Sequence, residues 1–469
     1  MENQKSVREP AWCQPLREDL DHMAEELTES LQGWEERDYT VTPEQKGYAG
    51  GMATPFLQAA IDDAAAHGGG RVVLAEGDYL SGTIVLQSNV CLEIRAGARL
   101  LGSIRPEDYP DHAASRRTVM DTNMAQNKSL IFAEGCRNIA LCGEGVLDGQ
   151  GSRTNFPGDE TTGATPGRPF LIRILDSTGV TVRGITIRDP ACWTQNYLNC
   201  SRVLLEALTV ESQSNFNNDG IDLDGCRDVI VRNCRISSGD DALCMKGASQ
   251  CETSRILVEN CTLLSSCNAV KIGTDTQGDF RNILVRNCTI GGVSEDMRRI
   301  KHAYSDSGFS WEAVDGGTVE RIRAVHITIV RAWSPFFIRL ENRGRVKPED
   351  PKPPISRIQE ILMEDITGED NGPRGSYFLG IPERPVRRIV LKNVHLKQRA
   401  SEKPVITEAE IPLMYGVYPD AHMIDSCGDA PAYGLWARDA EDISLIDYHV
   451  QPSAGEKRPE YVGVLPDPE

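Results

Sequence analysis

The chain has 469 residues, a formal charge of −19 and a pI of about 5.0. That length exceeds what one ordinary core serves, yet no composition break divides the chain, which suits a repeat architecture whose units pack only on their neighbours. The acidic balance excludes nucleic acid and anionic membrane as main partners, and no run of about 18 apolar residues is present to span a bilayer.

Met1 is followed by Glu, Asn, Gln and Lys, with no apolar stretch of signal-peptide length nearby, so a cytoplasmic location is expected. The fourteen cysteines are scattered without a metal-like CxxC pair, and several stand in Asn-Cys pairs; buried reduced thiols are expected. Residues 1–45 form a first segment, in which Leu16, Leu20, Met23, Leu27 and Leu31 recur at helical intervals between acidic residues. This predicts an amphipathic helix that caps one end of the core, or alternatively makes an oligomer contact. A second helix over TPFLQAAIDDAAAH (54–67) ends at Gly68-Gly69-Gly70 and leads into a strand.

From there to about residue 450 a repeat dominates, followed by a tail over 451–469. Short Ile/Val strands recur, and the first apolar residue of each unit gives Ile139, Val180, Val203, Val229, Ile256, Ile283, Ile322, Ile358 and Ile389. A basic period of 23–27 residues with insertions describes stacked coils with loops of variable length. Leucine-rich repeats share the period but need an LxxLxL pattern that is absent. An all-β, right-handed parallel β-helix remains. Cys234, Cys261 and Cys288, each 27 residues apart, predict an interior ladder and not a metal site.

Three coils continue with NNDGIDLDG (217–225), SGDDALCMKG (238–247) and SCNAVKIGT (266–274). Their apolar alternation puts Asp219, Asp241 and Asn268 in one column and Asp222, Cys244 and Lys271 in a second. Parallel strands stack about 4.8 Å apart, so Asp219 and Asp241 are neighbours on one face, with Asp240 beside them. Carboxylates this close repel, and at least one pKa should rise. Glycoside hydrolysis uses such a set: a protonated carboxyl for the leaving oxygen and an ionised one for water. Asp222 and Asp224 read as turn formers between strands. A Ca²⁺ site is the other chemistry that clustered acids serve.

These residues carry a resemblance. From about residue 54 to about 345 the chain resembles the polygalacturonase family, glycoside hydrolase family 28, through GVLDGQG, DPACWTQN, NNDGIDLDG, SGDDALCMKG and AVKIGT. The resemblance implies Asp240 as general acid, Asp219 and Asp241 as holders of the attacking water, and inversion at the anomeric carbon. Asn217 belongs to the matching Asn-x-Asp. The family's Gly-His-Gly reads Cys267-Asn268-Ala269 here, and its Arg-Ile-Lys falls in GFSWEAVDGG, where Ser310 and Glu312 stand. A literal Arg299-Ile300-Lys301 lies upstream of that strand. Lys271 and Arg339, placed in the column of Ser310, are the alternative cationic grip. Trp193 and Asn196, one coil before the acids, are candidate sugar contacts, Trp193 being equally a core residue.

The expected enzyme is a glycosidase acting on a pectin-derived oligosaccharide, exo-acting if insertions near 105–128, 151–168 and 344–356 wall the cleft. No cofactor or metal is expected. The rivals are a uronate lyase, which needs an Arg or Lys base and usually Ca²⁺, and a non-catalytic carbohydrate-binding shaft.

Overall fold

The computed structural model describes residues 9–112, 118, 127–158, 167–294, 302–347, 349–401, 421 and 430–463. Within them the strands form two parallel sheets, one of twelve strands and one of twenty. A representative coil runs Ile221–Asp224 in the smaller sheet, then Arg227–Arg232 and Arg235–Ser238 in the larger. A loop carrying Asp240 and Asp241 then leads to Leu243–Lys246, which stacks on Ile221–Asp224 in parallel register. This is the parallel β-helix the repeat implied.

The Asn-Cys pairs have a backbone cause. Asn233, Asn260 and Asn287 take left-handed φ values of 56°, 55° and 54° at the bend between the two legs of the larger sheet. Asparagine enters that region at less cost than most residues, because its short polar side chain bonds locally. The next residue turns inward, so Cys234, Cys261 and Cys288 are buried, their thiols donating to the carbonyls of Arg232, Glu259 and Arg286. Cys234, Cys261 and Cys288 are free thiols.

The anchor column follows the sequence period with one slip. Ile283 pairs with Ile322, which pairs with Ile361 and not with Ile358; Ile361 in turn pairs with Ile389. The Arg-Ile dipeptide at 321–322 recurs at 357–358, but the left-handed residue before the anchor is Arg321 in one coil and Glu360 in the next. The bend sets the register, and the dipeptide does not.

Helix α2 (Thr54–Ala66) closes the first coil, placing Leu57, Ala60, Ile61 and Ala64 in the axial core. Helix α1 (Cys13–Ser30) does not cap an end, contrary to expectation. It lies along the outside of the larger sheet, where Leu16, Leu20, Met23 and Leu27 cover Leu204, Ile230, Leu257, Leu284, Leu362 and Val390. Those residues share one register column, interrupted by Arg323. Arg323 bonds Asp21 of the helix at 2.9 Å, and Arg255 and Arg321 reach Glu26 and Asp19. The apolar face once available to another subunit is therefore covered by the chain's own sheet. The strands also overrun the expected boundaries: Thr40–Val41 pairs with Arg71 and Val72, and Tyr461–Val462 pairs with Leu435 and Trp436.

Candidate active site

The acids occupy the turns that enter the smaller sheet. Gly220 N donates to Asp241 O at 2.8 Å, Thr194 N to Asp219 O at 3.1 Å, and Ala242 N to Asn268 O at 2.9 Å. These ladder bonds stack Asp219, Asp241 and Asn268 on successive coils, with Trp193 one coil earlier. Asp219 and Asp241 are each 3% exposed, whereas Asp240 opens partly to solvent. Such an arrangement offers one carboxyl at the mouth and two beneath it.

The Asp241 carboxylate and the loops that carry Asp219 and Asp240 are held in place. Asp241 Oδ1 accepts from Asn268 Nδ2 at 2.8 Å, and Asn268 Oδ1 accepts from Ser307 Oγ at 2.6 Å. Lys271 Nζ lies 3.3 Å from the other oxygen of Asp241 and is 1% exposed, so its charge serves that carboxylate. Asn217, at φ 53°, accepts from Arg168 Nη2 at 2.9 Å, while Arg168 Nη1 reaches Phe216 O at 2.7 Å. Asn218 caps the same loop, accepting from Asn215 N and donating to Cys192 O. The backbone of Asp240 is pinned by the hydroxyls of Ser238 and Ser265 on its carbonyl.

The expected pKa rise falls on Asp219. Burial pushes its carboxyl well above the usual range, Asp222, Asp240 and Asp241 add repulsion, and Lys246 opposes them. Asp222 is no turn former. It lies within the Ile221–Asp224 strand, 1% exposed, and burial raises it to about 6 with Lys246 again opposing. Asp224 does act as a cap, its Oδ1 accepting from Ser249 N.

The second column holds from Arg173 through Asn196, Asp222, Cys244 and Lys271 to Ser310. Arg339 is displaced from it, however. Ser310 pairs with Phe337, and Arg339 pairs with Glu312 two positions on. Fully buried, Arg339 donates to Glu341 at 2.7 Å, so its charge is spent inside the fold. Glu312 is buried beside it and accepts from Ser310 Oγ at 2.8 Å. Trp193 is 7% exposed and stacks on Phe170 at 5.2 Å, which makes it a wall of the site more than an open sugar platform. Asn196 stays half-buried. Arg299, Ile300 and Lys301 lie outside the described residues. The 344–356 segment does not wall the acids: Arg345 and Asp350 contact Gln277 and Gln250, beyond the opposite ends of the small-sheet strands.

Two clusters resemble metal sites, Asp219/Asp222/Cys244 and Asp240/Asp241/Cys267. Ca²⁺ prefers oxygen ligands throughout, and each cluster includes a thiol and has an ammonium at hand. Lys246 Nζ stands 3.5 Å from both Asp219 and Asp222, and Lys271 Nζ 3.3 Å from Asp241. Lysine supplies the positive charge a cation would bring.

A family model described as glycosyl hydrolases family 28 matches residues 111–412. The chain belongs to this family. The match lies further toward the C-terminus than the 54–345 stretch whose motifs carry the resemblance. The exo-poly-alpha-D-galacturonosidase of Dickeya chrysanthemi is 23% identical over 241 residues, 42% of this chain and 40% of the relative. The polygalacturonase of Ralstonia nicotianae is 25% identical over 238 residues, 41% of this chain and 45% of the relative. The chain thus spans less than half the length of these curated relatives. The hyperthermoactive exopolygalacturonase of Thermotoga maritima shares the fold, with a TM-score of 0.68 at 18% identity, covering 91% of this chain and 96% of that one. Arg168 and Lys246 are residues that sequence reasoning passed over, and Asp222 was read as a turn former. Register arithmetic alone already placed Asp222 among the site columns. Arg168 follows a long insertion and belongs to no repeat position, so no sequence signal marked it.

Proposed function

We propose that the chain is an inverting, exo-acting glycoside hydrolase that cleaves short pectin-derived oligosaccharides. Asp240 protonates the leaving oxygen, and Asp219 with Asp241 holds and activates the attacking water. The observation that carries this reading is the stack of Asp219 on Asp241 in adjacent coils, both buried, with Asp240 at the mouth. A base with a raised pKa takes a proton from water more readily near neutral pH, and Asp219 has that property. An elimination would instead need an uncharged basic residue. Lys271 is ion-paired with Asp241, and Lys246 is held cationic against the pull of burial by Cys244 and by the carboxylates of Asp222, Asp219 and Asp241.

Plain polygalacturonan fits this site poorly. Ser310 is neutral, Glu312 is acidic, and the nearest arginine in that register is paired with Glu341. A shorter or mixed substrate, such as a rhamnogalacturonan fragment, meets less repulsion. The free thiols suit a reducing compartment, where such a fragment would be imported before cleavage.

The experiment is a screen of galacturonan, rhamnogalacturonan and neutral aryl glycosides, reading reducing ends and product size by chromatography. Monomer release with inversion, seen by proton NMR of the first-formed anomer, supports the reading. An unsaturated uronate product, or rapid random cleavage of polygalacturonan, sinks it.

A further inference from the structure

Lys246 and Asp222 are not used by the reaction as proposed, yet both lie against its base. Asp222 is buried, and its carboxylate lies against Asp219 and the Lys246 ammonium. Its oxygens, those of Asp219 and the Cys244 sulfur come within 4.8 Å of one another. The Lys246 ammonium is placed symmetrically, 3.5 Å from Asp219 Oδ2 and 3.5 Å from Asp222 Oδ1. Lys246 ends the Leu243–Lys246 strand, one coil on from the strand that carries Asp222, so its side chain must fold back to reach them.

We propose that Asp222 and Lys246 are positioning residues which set the charge on Asp219, one as a repulsive carboxylate and the other as an attracting ammonium. The proposal rests on the reading of Asp219 as a water-activating base. Opposed partners at comparable distance act as a balance on the group between them. Without Asp222, Lys246 alone would favour the ionised Asp219, which would then be a weak base. Without Lys246, two buried carboxylates would face each other, and Asp219 would keep its proton at working pH. With both in place, the two opposed charges bound how tightly Asp219 holds its proton.

The other charged groups facing this balance are few. Asp224 shares the Asp222 strand, and Asp240 and Asp241 come from the next turn. Lys271 lies one strand beyond Cys244, where Asp241 engages it. Arg173 lies two strands to the other side, with Asn196 between. Arg168 is engaged by Asn217. None of them stands between Asp219 and Asp222 as Lys246 does. After burial, the repulsion of Asp222 and then the attraction of Lys246 act most strongly on Asp219, ahead of Asp240 and Asp241.

The test is an infrared pH titration of the protonated-carboxyl band in the full chain, which needs no substrate. Asp219→Asn identifies the Asp219 component by removing it. Asp222→Asn should move the midpoint of that component down, and Lys246→Gln should move it up, each by about one pH unit or more. Lys246→Arg should leave it near the parent value. The acidic limb of kcat/KM, measured on whichever pectic oligosaccharide the chain turns over, should move in the same two directions. Midpoints that stay put, or that move the same way in both variants, overturn the proposal, since loss of packing has no reason to produce opposite signs. If Asp222→Asn does not fold, Lys246→Gln against Lys246→Arg decides alone. Failure of the hydrolase reading looks different: Asp240→Asn would then keep full activity, whatever the titration returns.

Discussion

Asp240 and Asp241 are adjacent in sequence but differently housed, the first half-open and the second buried against Asn268 and Lys271. Asp240→Asn and Asp241→Asn should each lower kcat by about 10²–10⁴ or more, with far-UV circular dichroism unchanged; near-normal turnover in either would remove it from the chemistry. Asp222 makes a prediction about stability instead. Its carboxyl is raised to about 6 when folded, so between roughly pH 4 and 6 the folded chain holds a proton that the unfolded chain has lost. Stability then falls as pH climbs through that window, by roughly 3 kcal/mol at most if the whole rise is expressed. Thermal melts across it should show a shallower pH slope in Asp222→Asn, and an identical slope would contradict the assignment. The Asp219–Asp241–Asn268 column is legible in the sequence, because coil period and strand alternation together fix which residues are neighbours. Asp222 was misread because Asp and Gly crowd NNDGIDLDG and mimic a turn, and burial leaves no mark in composition. The reach of Lys246 was invisible for a different reason: register locates a Cα, and a long side chain can cross a coil.

Among elements, the asparagine bends and helix α1 carry the most weight. Asn260→Ala keeps the volume small but forces a Cβ-bearing residue without a bonding side chain into φ 55°, which should cost about 1–2 kcal/mol in urea melts. Asn260→Gly should cost less, since glycine enters that region freely. Equal losses would mean that the side-chain contacts matter and the backbone does not. Leu27 is fully buried on the inner face of α1. Leu27→Ala should destabilise the chain by about 2–5 kcal/mol while leaving kcat intact below the melt, because the acids lie on the other sheet; a lost kcat in a folded variant would be unexpected. The amphipathic pattern of α1 was plain, but its partner was not. A helix pattern says that one face is buried and is silent about what buries it. The slip at Ile358 has the same character, since recurring residues suggested a register that only the bend at Glu360 decides.

Over the whole molecule, the charge of −19 opposes any polyanionic substrate before it reaches the cleft. Raising salt from low to physiological strength shortens the reach of that field to about 8 Å. KM for an anionic oligosaccharide should therefore fall with added salt, while KM for a neutral aryl glycoside stays level; a rise in the former would indicate a local cationic grip. The architecture was the most legible level of all, since a 23–27-residue period with alternating strands leaves few other folds. Helix α1 nonetheless has a consequence for how that architecture is built. Its 18 residues extend about 27 Å, close to the roughly 29 Å between the first and last of seven stacked strands. Its docking surface starts at Leu204 and is complete only at Val390. A ribosome makes the helix more than three hundred residues before the far end of its berth. Coils can assemble one upon another as they emerge, but this splint has to wait, its leucines uncovered, until most of the solenoid exists. Crowded together on one messenger, unfinished chains would offer those leucines to each other, which makes this helix a segment where nascent copies can mispair.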